Sequence, residues 1–169
     1  MKLILHIKEK RFLYICGSLI VKLQFSYEEE ESSFDKNNFF DVLIKSRIYQ
    51  GYRWTHTHFD ENAHGPFDIR KISPDHYQLI PFDELNKKMR SILLELGLDE
   101  DKYYRLYYQN FIDELNVCAD LCFHLAIPLS AERYWSAAYR DLPVLDFFEE
   151  WIVIDRKHQQ VHMIHLFRD

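Results

Sequence analysis

Near the C-terminus, residues 151–167 have the sequence WIVIDRKHQQVHMIHLF. Two runs rich in β-branched and aromatic residues, 151–155 and 160–167, flank the polar residues Arg156, Lys157 and His158, which suit a turn. This pattern predicts a β-hairpin. Because an isolated two-stranded hairpin is at best marginally stable in water, we expect it to extend a larger sheet.

Three further β-rich runs lie near the other end of the chain, at residues 3–7, 11–16 and 19–27. Polar residues 8–10 and the small residues 16–18 separate them, and the third run alternates apolar with polar side chains. Period two with one polar face predicts an antiparallel meander that is covered on one side. We expect the meander and the C-terminal hairpin to share one sheet.

The middle of the chain has mostly helical periodicity. Helices are predicted at residues 34–49 with a cap at Ser32 and Ser33 and a stop at Gly51, at 82–96, from 99 to 125 with a stop at Pro128, and at 130–139, with a further turn at 144–150. Short strands are predicted at 52–59 and 76–80, joined by a loop over 60–75 that contains two prolines. The expected fold is therefore a single α+β domain over residues 1–169, with an antiparallel sheet from an N-terminal meander and a C-terminal hairpin, packed against a central set of helices.

Composition narrows the classes of partner and compartment. The 169 residues include 27 acidic and 21 basic side chains, a formal net charge of −6, which disfavours nucleic acid and favours a basic protein as partner. No apolar run reaches the roughly 20 residues of a membrane span, so we expect no membrane association. The odd number of cysteines, Cys16, Cys118 and Cys122, and the absence of a signal-peptide pattern predict a cytoplasmic protein.

The histidines around residue 60 form the strongest metal-binding pattern. His56, His58 and Asp60 form His-x-His-x-Asp, and His64 follows. In an extended segment His56 and His58 project from one face, and this motif occurs in several metallohydrolase families. However, Glu61 stands where the metallo-β-lactamase pattern has a histidine. A metal-dependent hydrolase built on these four residues is the alternative hypothesis, and surface or partly buried strand histidines are the simpler interpretation.

Other chemical groups have structural interpretations. Cys118 and Cys122, four residues apart in the predicted helix, read as core side chains, and the pair Glu149-Glu150 reads as a solvated or capping pair. His162 and His165 are expected on opposite faces of a regular strand. The four glycines form no phosphate-binding pattern, so we expect no cofactor and no catalytic residues.

Tyrosines and acidic residues cluster in the middle of the chain. Together with Tyr134, Trp135 and Tyr139, the tyrosines of residues 103–108 exceed what one helix stripe can bury, and tyrosine is common at protein interfaces. The predicted partner-binding residues are Glu28, Glu29, Glu30, Glu31, Asp99, Glu100, Asp101, Tyr103, Tyr104, Tyr107 and Tyr108. The same rings would also suit a core or the seam of a homodimer.

The acidic character, the aromatic helical middle and the terminal hairpin at residues 151–164 resemble the small immunity proteins that neutralise bacterial polymorphic or contact-dependent toxins. The resemblance implies a non-catalytic inhibitor that binds a cognate toxin, often a basic nuclease domain, and covers its active site. An immunity or antitoxin-type protein-binding module is therefore the leading hypothesis. A structural or homo-oligomeric protein is a third possibility.

Overall fold

A computed structural model describes residues 4–15, 18–28, 34–50, 62–95, 97, 100–141 and 143–168. Within these residues the strands are β1 (Ile4–Ile15), β2 (Ser18–Glu28), β3 (Ala63–His64), β4 (Phe67–Asp68), β5 (Tyr77–Ile80), β6 (Leu121–Leu125), β7 (Phe147–Asp155) and β8 (Gln160–Arg168). The helices are α1 (Lys36–Lys45), α2 (Arg47–Gln50), α3 (Phe82–Glu95), α4 (Lys102–Cys118) and α5 (Ala137–Asp141). This is an α+β fold, as predicted. No described helix is long and apolar enough to cross a membrane.

Both ends of the described chain belong to one antiparallel sheet with the strand order β1-β2-β8-β7-β6-β5. The C-terminal hairpin forms where it was predicted, although β7 begins at Phe147 and not at residue 151, so the turn expected at 144–150 is largely strand. Strand β2 pairs with β8 over Ser18 to Ser26, which confirms that the N-terminal strands and the C-terminal hairpin share a sheet. The two short strands β3 and β4 pair separately.

The prediction that the N-terminal meander has three strands is wrong. The first two predicted runs form the single strand β1, which pairs with β2 along its whole length. A register shift between Ile7 and Glu9 occurs where a turn was predicted. Such irregularities accommodate an extra residue without reversing the chain, so the polar residues there need no turn.

The helix predicted from 99 to 125 is also too long. Helix α4 ends at Cys118, and Leu121–Leu125 is the strand β6, hydrogen-bonded between β5 and β7. Leu121 and Phe123 pack on one side of the sheet and Cys122 on the other. A short strand that is apolar on both faces has the same apolar content as a buried helix, so periodicity alone does not distinguish them.

Several other boundaries were predicted closely. Strand β5 and helix α3 fall within the predicted ranges 76–80 and 82–96. Helix α1 is capped by Asp35, whose carboxylate accepts the backbone N–H groups of Asn37 and Asn38 at 2.9 and 3.2 Å.

The helix predicted at 130–139 is instead a 3-10 turn at Glu132–Tyr134 followed by α5. The proposed cap at Ser32 and Ser33, the stop at Gly51 and the strand at 52–59 lie outside the described residues.

Side chains cover strands β5, β6, β7 and β8 of the sheet on both faces. One face packs against α1, α2, α5 and the segment from β3 to the start of β5, and the other packs against α3 and α4. Strand β7 shows the division, since Phe148, Ile152 and Ile154 lie on the first face and Trp151 and Val153 on the second. The alternation places the even-numbered residues of β7, including its one buried glutamate, under the layer that contains α1.

Candidate functional site: a buried histidine–glutamate cluster and an exposed tyrosine surface

The least ordinary feature of the core is a glutamate in the middle of the sheet. Glu150 of β7 lies directly opposite His165 of β8, and both side chains are fully buried. The Glu150 Oε2 atom lies 2.7 Å from the His165 Nε2 atom. Residues opposite each other in an antiparallel pair project on the same face, so strand register alone brings these two groups together.

His64 reaches the same carboxylate from above the sheet. Its Nδ1–H donates to the backbone carbonyl of Tyr49 at 2.9 Å, and its Nε2 contacts the Glu150 Oε2 atom. The His64 ring stacks on the Tyr49 ring, with centroids 3.4 Å apart. The orientation of the imidazole is therefore fixed and its Nδ1 carries a proton, because a carbonyl oxygen can only accept a hydrogen bond.

Gly65 allows His64 to hold this position. Its φ is +54°, and a Cβ atom there would lie 2.6 Å from the Phe148 ring. A side chain at residue 65 would therefore be strained in its backbone and would displace a ring that packs beside His165. The turn between β3 and β4 needs glycine for both reasons.

Two tyrosines complete the cluster. The Tyr77 hydroxyl donates to the Glu150 Oε1 atom at 2.5 Å, and the Tyr49 hydroxyl lies 2.6 Å from that of Tyr77. Because Tyr77 gives its proton to Glu150, Tyr49 donates to the Tyr77 oxygen. Both rings are fully buried, and Tyr77 stacks on Phe40 at 3.9 Å. We call His64, Glu150, His165, Tyr49 and Tyr77 the buried cluster.

The electrostatics of the buried cluster require positive charge beside Glu150. Burial by itself would raise the pKa of the Glu150 carboxyl, but the neighbouring imidazoles of His64 and His165 hold that pKa well below its usual range. Burial, followed by the charge of Glu150, raises the pKa of Tyr49 and of Tyr77 well above the ordinary value. The carboxyl is therefore ionised and both hydroxyls remain proton donors at neutral pH.

The metal-ligating atoms of His64, Glu150 and His165 all lie within 4.8 Å of one another. Two imidazole nitrogens and one carboxylate oxygen make up a donor set that proteins use for divalent transition metals. Of the four residues in the predicted hydrolase motif, the structure describes His64 alone. His56, His58 and Asp60 lie outside the described residues.

Sequence reasoning missed the partners of His64. Glu149 and Glu150 were interpreted as a solvated or capping pair, which is wrong for Glu150 because its side chain is fully buried. The sequence does carry a signal: Glu150 shares strand period two with the apolar residues Phe148 and Ile152. His162 and His165 lie on opposite faces as predicted, since adjacent residues of β8 alternate between the two cores.

A second histidine–glutamate pair lies on the other face of the sheet and is partly exposed. His124 Nε2 and Glu149 Oε2 are 2.5 Å apart, and Lys88 Nζ lies 2.9 Å from the Glu149 Oε1 atom. Burial tends to raise the pKa of Glu149, but hydrogen bonds from His124 and Lys88 lower it overall. In this pair the ammonium group of Lys88 supplies positive charge beside Glu149.

The cysteine pair does not form a site on one helix. Cys118 is the last residue of α4, whereas Cys122 belongs to β6 and is buried against the second core. Burial raises the pKa of the Cys122 thiol to about 12, so it is a protonated core side chain at neutral pH.

The predicted tyrosine surface is only partly formed. Tyr103 and Tyr107 on α4 are 59% and 47% exposed, with ring centroids 4.5 Å apart. Leu106 on the same helix and Leu94 on α3 are 57% and 65% exposed. These four side chains, Leu94, Tyr103, Leu106 and Tyr107, are called here the α3–α4 surface.

Other predicted partner-binding residues lie elsewhere. Tyr108 is buried, and its hydroxyl donates to the backbone carbonyl of Asn86. The prediction that Tyr108 is a partner-binding residue is therefore wrong. Asp101 accepts the N–H of Tyr103 at 2.8 Å near the start of α4, and Glu100 is exposed. The side chains of Glu28 and Tyr104, and Glu29, Glu30, Glu31 and Asp99 as a whole, lie outside what the structure describes.

The second group of rings does not join the α3–α4 surface. Tyr139 is buried in the core on the opposite face of the sheet, and Tyr134 and Trp135 pack against that core. Tyr134 also approaches His76, with its hydroxyl 3.1 Å from the Nε2 atom. Tyr139 is therefore a core side chain, and Tyr134 and Trp135 are partly buried at the margin of the same core.

A groove beside the α3–α4 surface carries positive charge. Arg90, Lys102 and Arg105 line it together with Leu106 and Gln109. The acidic residues Glu100 and Asp101 precede α4 and are exposed. Exposed groups of both charge signs therefore occur near the start of α4.

No protein-family model matches this chain, and no curated protein and no solved structure is significantly similar to it. Functional inference therefore depends on the geometry of the chain itself.

Proposed function

We propose that this protein is a non-catalytic protein-binding module of the toxin-immunity type, which holds a partner protein on the α3–α4 surface. The observation that carries the proposal is the exposure of two tyrosines and two leucines on neighbouring helices. Exposed apolar side chains that occur singly are ordinary, but adjacent ones with aromatic rings are typical of interaction sites.

The tyrosines have the properties of interface anchors. The rings of Tyr103 and Tyr107 are in contact, so each already has a limited set of orientations before a partner binds. Tyrosine has few rotatable bonds for its contact area, and its hydroxyl can bond across a wet rim. An exposed tyrosine pair of this kind is suited to the centre of a protein–protein interface.

Charge favours a basic partner. The net charge of −6 attracts a basic protein at long range. Close to the start of α4, the exposed residues Glu100 and Asp101 immediately precede Lys102 and Tyr103 in the sequence, whereas Arg90, Lys102 and Arg105 line the groove. We expect a basic toxin domain, such as a nuclease, to contact Tyr103 and Tyr107 and to place acidic groups of its own only against the groove.

The alternative of a metal-dependent hydrolase is less well supported by the described residues. A catalytic metal needs a position that water and substrate can reach. His64, Glu150 and His165 are fully buried beneath α2 and the β3–β4 turn. Their complete burial leaves no position open to a substrate, which suits a structural role better than turnover.

The proposal predicts a toxin gene directly upstream of the gene for this protein. The polypeptide encoded there would be purified and its affinity measured by calorimetry for the wild type and for a double variant with Tyr103→Ser and Tyr107→Ser. Loss of two interface tyrosines should raise Kd by at least ~30-fold. The association rate should also fall as salt is added, because opposite charges steer the encounter.

Leu79→Ser provides a matched control. Leu79 lies in β5 and is 61% exposed, similar to Tyr103, but it belongs to the edge of the sheet. This variant should bind like the wild type. Equal affinity for the tyrosine variant and the wild type, or a neighbouring polypeptide that does not bind at all, would exclude the proposed function.

A further inference from the structure

We infer that the buried cluster is a structural binding site for one divalent transition-metal ion of the zinc type, held by His64 Nε2, Glu150 and His165. Three ligand atoms from three strands, β3, β7 and β8, converge on one point inside the core. This inference is independent of the proposed protein-binding surface, which lies on the other face of the sheet.

The tautomer of His64 provides the first argument. Its Nδ1–H is used by the Tyr49 carbonyl, so its Nε2 presents a lone pair unless the ring carries a second proton. His64 Nε2 and the Glu150 Oε2 atom can then each offer a lone pair to a single cation, and the Nε2 atom of His165 lies within reach of the same ion. A hydrogen bond from the far nitrogen to a backbone carbonyl is also the usual way in which proteins orient a metal-ligating histidine.

The environment of Glu150 provides the second argument. Tyr77 donates to Oε1, which leaves Oε2 directed at both imidazoles. The hydroxyl of Tyr49 in turn supports Tyr77 at 2.6 Å. The carboxylate is thus oriented by a partner outside the ligand set, as ligating carboxylates commonly are.

The donor set indicates the class of ion. Two imidazoles with one carboxylate suit zinc, whose bonds to nitrogen and oxygen are about 2.0–2.2 Å long. Calcium and magnesium prefer sets made entirely of oxygen, and the described surroundings provide no thiolate that would select copper(I). Complete burial of all three side chains indicates an ion that stabilises the fold and does not exchange with substrate.

The test uses the full chain made without a polyhistidine tag, because a tag would bind the same ions. Chelated and dialysed protein is titrated with Zn²⁺, and bound metal is measured by elemental analysis. The expected result is one zinc per chain, with Tm raised by about 5–10 °C at a free Zn²⁺ concentration near 100 times Kd. Absence of stoichiometric zinc together with an unchanged Tm would overturn the inference and would identify the cluster as a proton-linked ion pair.

Two variants and a control locate the ion. His165→Gln and Glu150→Gln should each weaken Zn²⁺ binding at least 100-fold. His124→Gln removes a histidine that is also paired with a glutamate of β7, but on the other face, and should bind zinc like the wild type. Equal zinc affinity in His165→Gln and His124→Gln would place the ion elsewhere and contradict the assignment.

X-ray absorption of the zinc-loaded wild type keeps the inference testable if the buried variants do not fold. The spectrum should show nitrogen and oxygen neighbours and the outer-shell scattering of two imidazoles. A sulfur neighbour, or fewer than two imidazoles, would overturn the site.

Discussion

Replacing Tyr77 by Phe tests whether the buried cluster stabilises the fold. The change removes one hydroxyl, which donates to Glu150 at 2.5 Å and accepts from Tyr49 at 2.6 Å. The ring and its stacking on Phe40 remain, so there is almost no loss of buried apolar volume. A hydrogen bond to a charged group contributes roughly 1.5–3 kcal/mol, and the expected loss in the free energy of unfolding is about 2–3 kcal/mol.

Tyr139→Phe is the matched control. Tyr139 is also buried, but within the described residues its hydroxyl bonds only to backbone atoms, the O and N atoms of Leu145 at 3.4 and 3.3 Å. Long bonds to neutral groups contribute about 0.5–1 kcal/mol. Tyr77→Phe should therefore cost at least ~1 kcal/mol more than Tyr139→Phe.

Urea unfolding followed by circular dichroism measures both variants. For a chain of this size the loss at Tyr77 corresponds to a Tm lower by about 5–10 °C. Introducing Tyr77→Phe into a Glu150→Gln background should cost less than in the wild type, since the charged acceptor is already gone. A loss below ~0.5 kcal/mol, or equal losses for the two tyrosine variants, would refute the view that Glu150 is a charged acceptor.

Three further variants test neighbouring parts of the fold by the same unfolding measurement. Gly65→Ala should destabilise by at least ~2 kcal/mol, because its φ is positive and its new Cβ meets Phe148; a smaller loss would mean that the β3–β4 turn is not held as described. Arg70 hydrogen bonds lower the pKa of Asp68, so Asp68→Asn should cost about 1–2 kcal/mol at pH 7. A lowered pKa stabilises the folded state above the unfolded value of about 4, so this difference should shrink as pH falls below 4, and a constant difference would contradict it. Leu115→Ala should cost roughly 2–5 kcal/mol, since Leu115 is fully buried between α4 and the sheet, and a cost near zero would exclude that packing.

Local patterns predicted the parts of the fold that have one buried face or a clear stop signal. Helix α3 has a narrow apolar stripe, with Leu85, Met89 and Ile92 buried, and Pro81 and Gly97 bracket it. The C-terminal hairpin was visible because polar turn residues separate two apolar runs. In each case the determinant lies within a few residues of the element.

Prediction failed where pairing with a distant strand sets the boundaries of an element. Strand β6 and helix α4 form one continuous apolar series from Phe111 to Leu125 in the sequence, and their boundary depends on pairing with β5 and β7. Strand β1 crosses the polar residues 8–10 because β2 provides a continuous partner. These outcomes depend on tertiary contacts that no local window contains.

The candidate site was harder to predict than the fold. His64 was singled out for its neighbours in sequence, but its described ligand partners are 86 and 101 residues later in the chain, at Glu150 and His165. The signal in the sequence is Glu150, a charged residue at a position where the alternation of a buried strand requires an inward-facing side chain. Burying a charged side chain without a partner costs several kcal/mol of folding free energy. A charged residue at such a position therefore predicts partners of opposite charge on the same face of the sheet.

The sequence separations within the buried cluster constrain when it can form. Glu150 is 101 residues from Tyr49, 86 from His64 and 73 from Tyr77, so the unfolded chain has no preformed site. Each contact requires a long loop to close, and the network becomes complete only after α2, β3 and β5 have packed over the β7–β8 pair. Any cation that binds there, whether a proton or a metal ion, therefore binds the folded state alone. Its binding free energy adds to the stability of the fold, which is why the stability of the protein reports directly on the occupancy of the cluster.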